Sequence, residues 1–202
     1  MTAIGKLLYF IGKTFFAFFF FVFYQPEILN KQNISREEGP VIIMANHQSY
    51  LDPPLVGTVF PRQVFFLAKK SLFKNALFGW ILKKIGVIPI KRGKPDLGAL
   101  KRTFRILSAG KCLGIFPEGT RIKEQEIGEI QPGAVLIALK TQAPIIPVGI
   151  KNITLKGKTT ISIGKPFKLD NYYDRKLNSR EKKEVAEIIR SKIKQELKAD
   201  SN

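Results

Sequence analysis

The chain has 202 residues, 45% of them apolar, and carries 34 Lys and Arg against 16 Asp and Glu, a net charge of +18. That length buries a sizeable core and favours one compact domain, while the charge calls for an anionic partner: a phosphate-bearing substrate, an anionic membrane, nucleic acid or an acidic protein. One cysteine, Cys112, excludes an intrachain disulfide framework and any multi-cysteine metal site, and is compatible with a reducing cytosolic environment.

The first predicted element is "LLYFIGKTFFAFFFFVFY", residues 7 to 24, interrupted only by Lys13. As a helix it spans about 27 Å, just under the roughly 30 Å hydrocarbon core. Lys6 and Lys13 share a helical face, which would let both ammonium groups reach the headgroups while the phenylalanines sink. The reading is an anchor embedded in one leaflet. A single tilted span and a cleaved signal peptide are the alternatives, the second disfavoured because no small-residue cleavage site follows Tyr24. After Pro26 the chain turns polar ("EILNKQNISREEGP", residues 27 to 40), as a connector does. Residues 1 to 30 are thus expected to be a membrane-anchoring helical segment, and 31 to 202 the globular domain.

Short apolar runs at 41 to 45, 64 to 67, 87 to 90, 112 to 116 and 145 to 150 alternate with segments of helical periodicity. This predicts a single α/β domain with a mostly parallel or mixed central sheet flanked by helices. Between Asp96 and Gly110, Leu97, Leu100, Phe104 and Leu107 recur at helical steps, with Asp96 as N-cap and Gly110 as stop. A last helix over residues 179 to 198 sets Val185, Ile188, Ile189, Ile193 and Leu197 on one face for packing on the sheet.

The chemistry is expected at strand ends. In "VIIMANHQSYLDPP", residues 41 to 54, the only histidine, His47, follows the first apolar strand, where α/β proteins place ligand-binding loops. Asp52 before Pro53 and Pro54 fits a helix N-cap, which explains the aspartate but not the histidine. A neutral imidazole oriented by a carboxylate can take a proton from a hydroxyl, help worth about 10² to 10⁴ in rate. On spacing alone a structural histidine is equally open. In "LGIFPEGTRI", residues 113 to 122, a strand runs into a turn presenting Glu118, Gly119, Thr120 and Arg121. Glycine allows close backbone approach and an arginine fork suits phosphate; the bland alternative is a surface turn with an internal Glu–Arg pair. "GVIPIKRGK", residues 86 to 94, ends another strand in Lys91, Arg92 and Lys94, near "AKKSLFK" with Lys69, Lys70 and Lys74.

Together these stretches resemble the glycerolipid acyltransferase family. "NHQSYLD", "GVIPIKR", "FPEGTR" and "IIPV" (145 to 148) match its four motifs in order over about residues 40 to 150, and "NHQS" with "FPEGTR" is similar to the 1-acylglycerol-3-phosphate acyltransferase branch. The resemblance implies transfer of a fatty acyl group from acyl-CoA or acyl-ACP to the 2-hydroxyl of lysophosphatidic acid, giving phosphatidic acid, with no metal and no cofactor beyond that thioester co-substrate. By the same resemblance His47 is the base and Asp52 its orienter; Arg92 and Arg121 grip the phosphate with Lys69 a further contact. Glu118 and Gly119 shape the glycerol site, and Pro147 and Val148 line the pocket. Cys112 invites an acyl-cysteine reading, but its apolar strand and lack of a neighbouring base make it a buried thiol. The chain departs from the family after Arg121, where "IKEQEIGEIQPG" puts Gln131 and Pro132 before Gly133 in place of the frequent serine and later lysine.

The implied partners are membrane lipids, with an anionic bilayer attracting about 1 kcal/mol per nearby Lys or Arg, and an acyl carrier protein or CoA donor. The catalytic domain is expected on the cytoplasmic face. Rival readings are an acyltransferase acting on another lysophospholipid or lyso-aminolipid, and a basic membrane- or RNA-binding module. Nucleic acid is not expected, because the phenylalanines gather in the N-terminal run instead of interleaving with basic residues.

Overall fold

The computed structural model describes residues 2–34, 38–91, 93, 95–122, 126–153 and 158–199. Its strands are β1 (Glu27–Leu29), β2 (Val41–Ala45), β3 (Val64–Lys69), β4 (Ile88–Ile90), β5 (Cys112–Ile115), β6 (Ile145–Lys151) and β7 (Thr160–Ile163). They form one sheet in the order β1-β7-β6-β2-β5-β3-β4. The strands from β6 through β4 are mutually parallel, whereas β7 runs antiparallel to β6 and parallel to β1. The sheet is therefore mixed, with a parallel centre whose strands all finish on one edge. The segments after Ala45, Lys69, Ile90 and Ile115 emerge there together.

Strands buried on both faces carry near-continuous apolar runs, which is why β2 and β6 coincide with the expected segments. Ile42, Met44, Phe65, Leu113, Ile115 and Ile145 pack beneath α4 (Leu97–Ser108), α5 (Pro132–Thr141) and α6 (Ser179–Lys198). Val41, Ile43, Ala45, Val64, Cys112, Ile146 and Val148 meet α1 (Ala3–Phe23) and α2 (Asp52–Val59) on the other face. α3 (Ala76–Lys84) lies beside α1. Helix signals act as expected at α4, where Asp96 accepts from Ala99 N–H at 3.0 Å and the chain leaves through Gly110 at φ 68°. At α6, Asn178 and Glu181 form a reciprocal capping box. The connector is not purely a connector: Glu27–Leu29 joins the sheet by pairing with Thr160–Ser162.

α1 differs from the sequence expectation in two ways. Thr2 accepts from Gly5 N–H at 3.2 Å and starts the helix at Ala3, so its 21 residues reach about 32 Å, long enough to cross a bilayer. Length therefore no longer argues for one leaflet. Lys13 does not extend toward headgroups beside Lys6: its ammonium donates to Phe60 O at 2.5 Å and Pro61 O at 3.3 Å, where a cation complements the carbonyls ending α2. Tyr9 Oη accepts from Val64 N–H at 3.1 Å and Phe20 is buried, so one flank of α1 lies against the domain from its first turns to its last.

Candidate active site

β2 is prolonged past Ala45 by a side chain. Asn46 donates through Nδ2 to Ile150 O at 3.0 Å and accepts Ile150 N–H at 2.8 Å, so its amide takes the place of a backbone partner for β6. This fixes the path of His47, which is 8% exposed. His47 Nδ1 lies 2.6 Å from Asp52 Oδ2, and the same oxygen accepts Gln48 N–H at 2.7 Å and Ser49 N–H at 2.8 Å. An acceptor at Nδ1 assigns the ring proton to that nitrogen in the neutral imidazole and leaves the Nε2 lone pair free.

Asp52 is not the cap of α2; Leu51 holds that position and Asp52 is the first helical residue. Were Asp52 the cap, the second helical amide would be that of Pro54, which has no N–H, and the third, Leu55 N–H, is taken by Leu51 O at 2.9 Å. With no donor in the helix to accept from, the carboxylate turns back into the loop and holds the imidazole.

The turn after β5 encloses His47 from the other side. Glu118 Oε2 accepts His47 N–H at 3.0 Å, and Ile122 N–H donates to His47 O at 2.8 Å, so both backbone groups of the histidine are bound by this turn. The Phe116 ring stacks on the imidazole with centroids 4.3 Å apart, and Phe66 stacks behind it. Gly114 makes room for this wall: a Cβ there would come within 2.2 Å of the Phe66 ring. Gly119 takes φ 70° and forms the turn itself.

Glu118, expected to shape a glycerol site, holds the loop of the histidine to its own turn. It is 3% exposed, and its second oxygen accepts Gly128 N–H at 3.0 Å, so both oxygens serve backbone amides. Burial pushes its carboxyl above the ordinary 4.5, the two amide bonds oppose the rise, and the Asp52 charge adds to it. Nor does Glu118 pair with Arg121. That guanidinium stands 3.5 Å over the Tyr50 ring and donates to Tyr50 Oη at 2.8 Å, at the exposed rim of the same loop.

Lys69 is exposed at the end of β3, on the sheet edge that carries His47. Arg92 and Lys94 lie outside the described residues. Pro147 and Val148, expected to line the pocket, are buried in β6 opposite Met44 and Ala45. Cys112 is a buried thiol at the start of β5, pushed up by burial. What gathers at the edge is a supported imidazole with a free Nε2 and an arginine held close by: a base for a hydroxyl and a cation for an anionic group.

A model of the family described as Acyltransferase matches residues 25–151, more than half of the chain and the whole of this constellation. The chain belongs to the acyltransferase family. Within that family it is 34% identical over 148 residues to the 1-acyl-sn-glycerol-3-phosphate acyltransferase of Bacillus subtilis, covering 70% of this chain and 73% of that one. To a chloroplastic 1-acyl-sn-glycerol-3-phosphate acyltransferase of Brassica napus it is 30% identical over 177 residues, 80% of this chain but 51% of the plant protein, so it spans about half that relative's length. The crystal structure of the 1-acyl-sn-glycerophosphate acyltransferase of Thermotoga maritima superposes with a TM-score of 0.71 at 23% identity, covering 98% of this chain and 82% of that one. This acyltransferase therefore has the expected mixed α/β fold.

Proposed function

We propose that this acyltransferase moves a fatty acyl group from an acyl thioester to the 2-hydroxyl of 1-acylglycerol 3-phosphate, forming phosphatidic acid. The observation that carries the reading is the buried His47–Asp52 contact at 2.6 Å, which leaves Nε2 as the base. Nε2 takes the hydroxyl proton as the oxygen attacks the thioester carbonyl, and Asp52 stabilises the imidazolium. The new C–O bond forms, the C–S bond breaks, and the imidazolium returns its proton to the thiolate. Arg121, with Arg92 and Lys69, would hold the phosphate. The names of the relatives in bacteria and plants support this acceptor. Acyl-CoA and acyl carrier protein both fit as donors, and the reading calls on no metal or cofactor.

In the same reading α1 lies in one leaflet with the domain on the cytoplasmic face. Support comes from its two flanks. Ile4, Leu7, Ile11, Phe15, Phe18 and Val22 recur at helical spacing and are exposed, whereas Tyr9, Lys13 and Phe20 tie the opposite flank to α2 and β3. A perpendicular span would draw those domain surfaces into hydrocarbon.

His47→Ala should lower acyl transfer by about 10² to 10⁴ while leaving the circular dichroism spectrum and vesicle binding unchanged. Robust turnover by that variant would overturn the assignment. Arg121→Ala should raise the KM for lysophosphatidic acid more than that for the thioester. Assays with lysophosphatidic acid, glycerol 3-phosphate and lysophosphatidylcholine as acceptors, against one donor, decide the headgroup: a preference for the choline lipid would remove the phosphate reading.

A further inference from the structure

We infer that the 3₁₀ turn Lys70–Phe73 and α3 form a second membrane-inserting element, which lays Leu77, Phe78 and Trp80 into the same anionic bilayer surface as α1. The inference rests on the one-leaflet reading of α1 and adds to it a separate piece of chain.

Turn and helix are one rigid unit. Asn75 accepts from Phe78 N–H at 2.9 Å to start α3, and Gly79 packs so closely that a Cβ would lie 2.7 Å from Phe73 O. Leu77 is 71% exposed, Phe78 48% and Trp80 47%, and Leu72 on the turn is exposed too. Three large apolar residues within four positions on the surface of a nine-residue helix call for a covering partner. α3 packs beside α1, whose outer flank is likewise apolar and exposed.

Charge selects the occupant. Residues 53 to 95 contain nine Lys and Arg and no Asp or Glu. Lys69, Lys70, Lys74 and Lys83 are exposed around the apolar residues, and Lys84 Nζ lies 5.6 Å from the Trp80 ring centroid. Apolar side chains rimmed by lysines fit a surface that takes hydrocarbon below and presents phosphates above, as an anionic leaflet does. The arrangement also has a mechanical consequence. One helix lying in a leaflet is free to roll about its own axis, whereas two adjacent insertions define a plane. Because the turn begins where β3 ends, that plane is set at the sheet edge that carries His47.

Trp80 is the only tryptophan in the chain and reports on the proposal directly. The full chain is added to phosphatidylglycerol vesicles with and without brominated acyl chains, and vesicle binding is followed by sedimentation. The expected result is co-sedimentation, a blue shift of Trp80 emission and quenching by the brominated chains. Leu77→Ser with Phe78→Ser should weaken vesicle partition about ten-fold and leave the thermal unfolding curve in place, since both side chains face outward. Co-sedimentation with unshifted, unquenched Trp80 overturns the proposal and leaves the α1 reading standing. A blue shift that follows protein concentration without vesicles makes the occupant a second copy of the chain and also overturns it. Failure to sediment overturns both readings.

Discussion

The end of β2 and the outer flank of α1 are opposite solutions to the same problem of what a surface faces. Around His47 the histidine's own groups are bound internally: its N–H by Glu118, its carbonyl by Ile122 and its Nδ1 by Asp52, with Asn46 fixed to Ile150 one residue earlier, while Asp52 Oδ1 and Gln48 Nε2 are buried without a hydrogen-bond partner among the described residues. On α1, Phe10, Phe15, Phe18 and Phe21 stand 60 to 73% exposed. The first region is a buried network in which removing a member strands the groups it binds at low dielectric. The second leaves its apolar side chains uncovered by the described residues. The site is thus expected to be brittle and the flank tolerant, and substitutions can test that contrast.

The largest effect belongs to Asp52→Ala. Its Oδ2 serves three donors, so truncation strands the imidazole N–H and the amides of Gln48 and Ser49 at once. Activity should fall by about 10² to 10⁴ and stability by about 3 kcal/mol or more, read by turnover and denaturant unfolding of the same sample. A loss of activity with unchanged stability would mean that the loop holds itself without the carboxylate.

Glu118→Gln comes next. It keeps one acceptor but turns an NH₂ toward either His47 N–H or Gly128 N–H, an expected cost of about 1 to 3 kcal/mol. The pH dependence sharpens the case. Burial raises the Glu118 carboxyl in the folded chain, so between its ordinary 4.5 and the raised value the folded state binds more protons than the unfolded state. Its contribution is fully present below 4.5 and is lost as pH rises through the folded value. Glutamine does not titrate, so the stability of wild type minus that of Glu118→Gln should fall as pH climbs above 4.5; a flat difference would place the carboxylate in water.

What the sequence made legible follows the distance over which each signal acts. The central strands β2, β5 and β6 announce themselves because both faces are buried, and His47, Asp52 and Arg121 stand in short recognisable stretches. The roles of Glu118, Asn46 and Lys13 were not legible: their partners lie far along the chain, at His47, Ile150 and Phe60, and nothing local marks a carboxylate that binds amides from one that binds substrate. Lys13 shows the error clearly, since helical spacing pairs it with Lys6 while the fold gives it the carbonyls ending α2. β1 escaped notice because three half-buried residues are too few for an alternation to show. Asp52 as cap failed for a local reason that was readable, the missing N–H of Pro54.

The smallest effect tests the tolerant side. Phe18 is 67% exposed, whereas Phe20, two positions along the same helix, is 2% exposed and belongs to the core shared with α2. Phe18→Ser should change stability in detergent by no more than about 0.5 kcal/mol, as surface substitutions do, because most of the ring already lies outside the protein. Binding to anionic vesicles should weaken in the same variant, since the removed ring is apolar area that only lipid can cover. If instead the variant unfolds in detergent as a Phe20 substitution would, the outer flank is covered by protein, and the contrast between a buried site and an open flank reduces to two kinds of core.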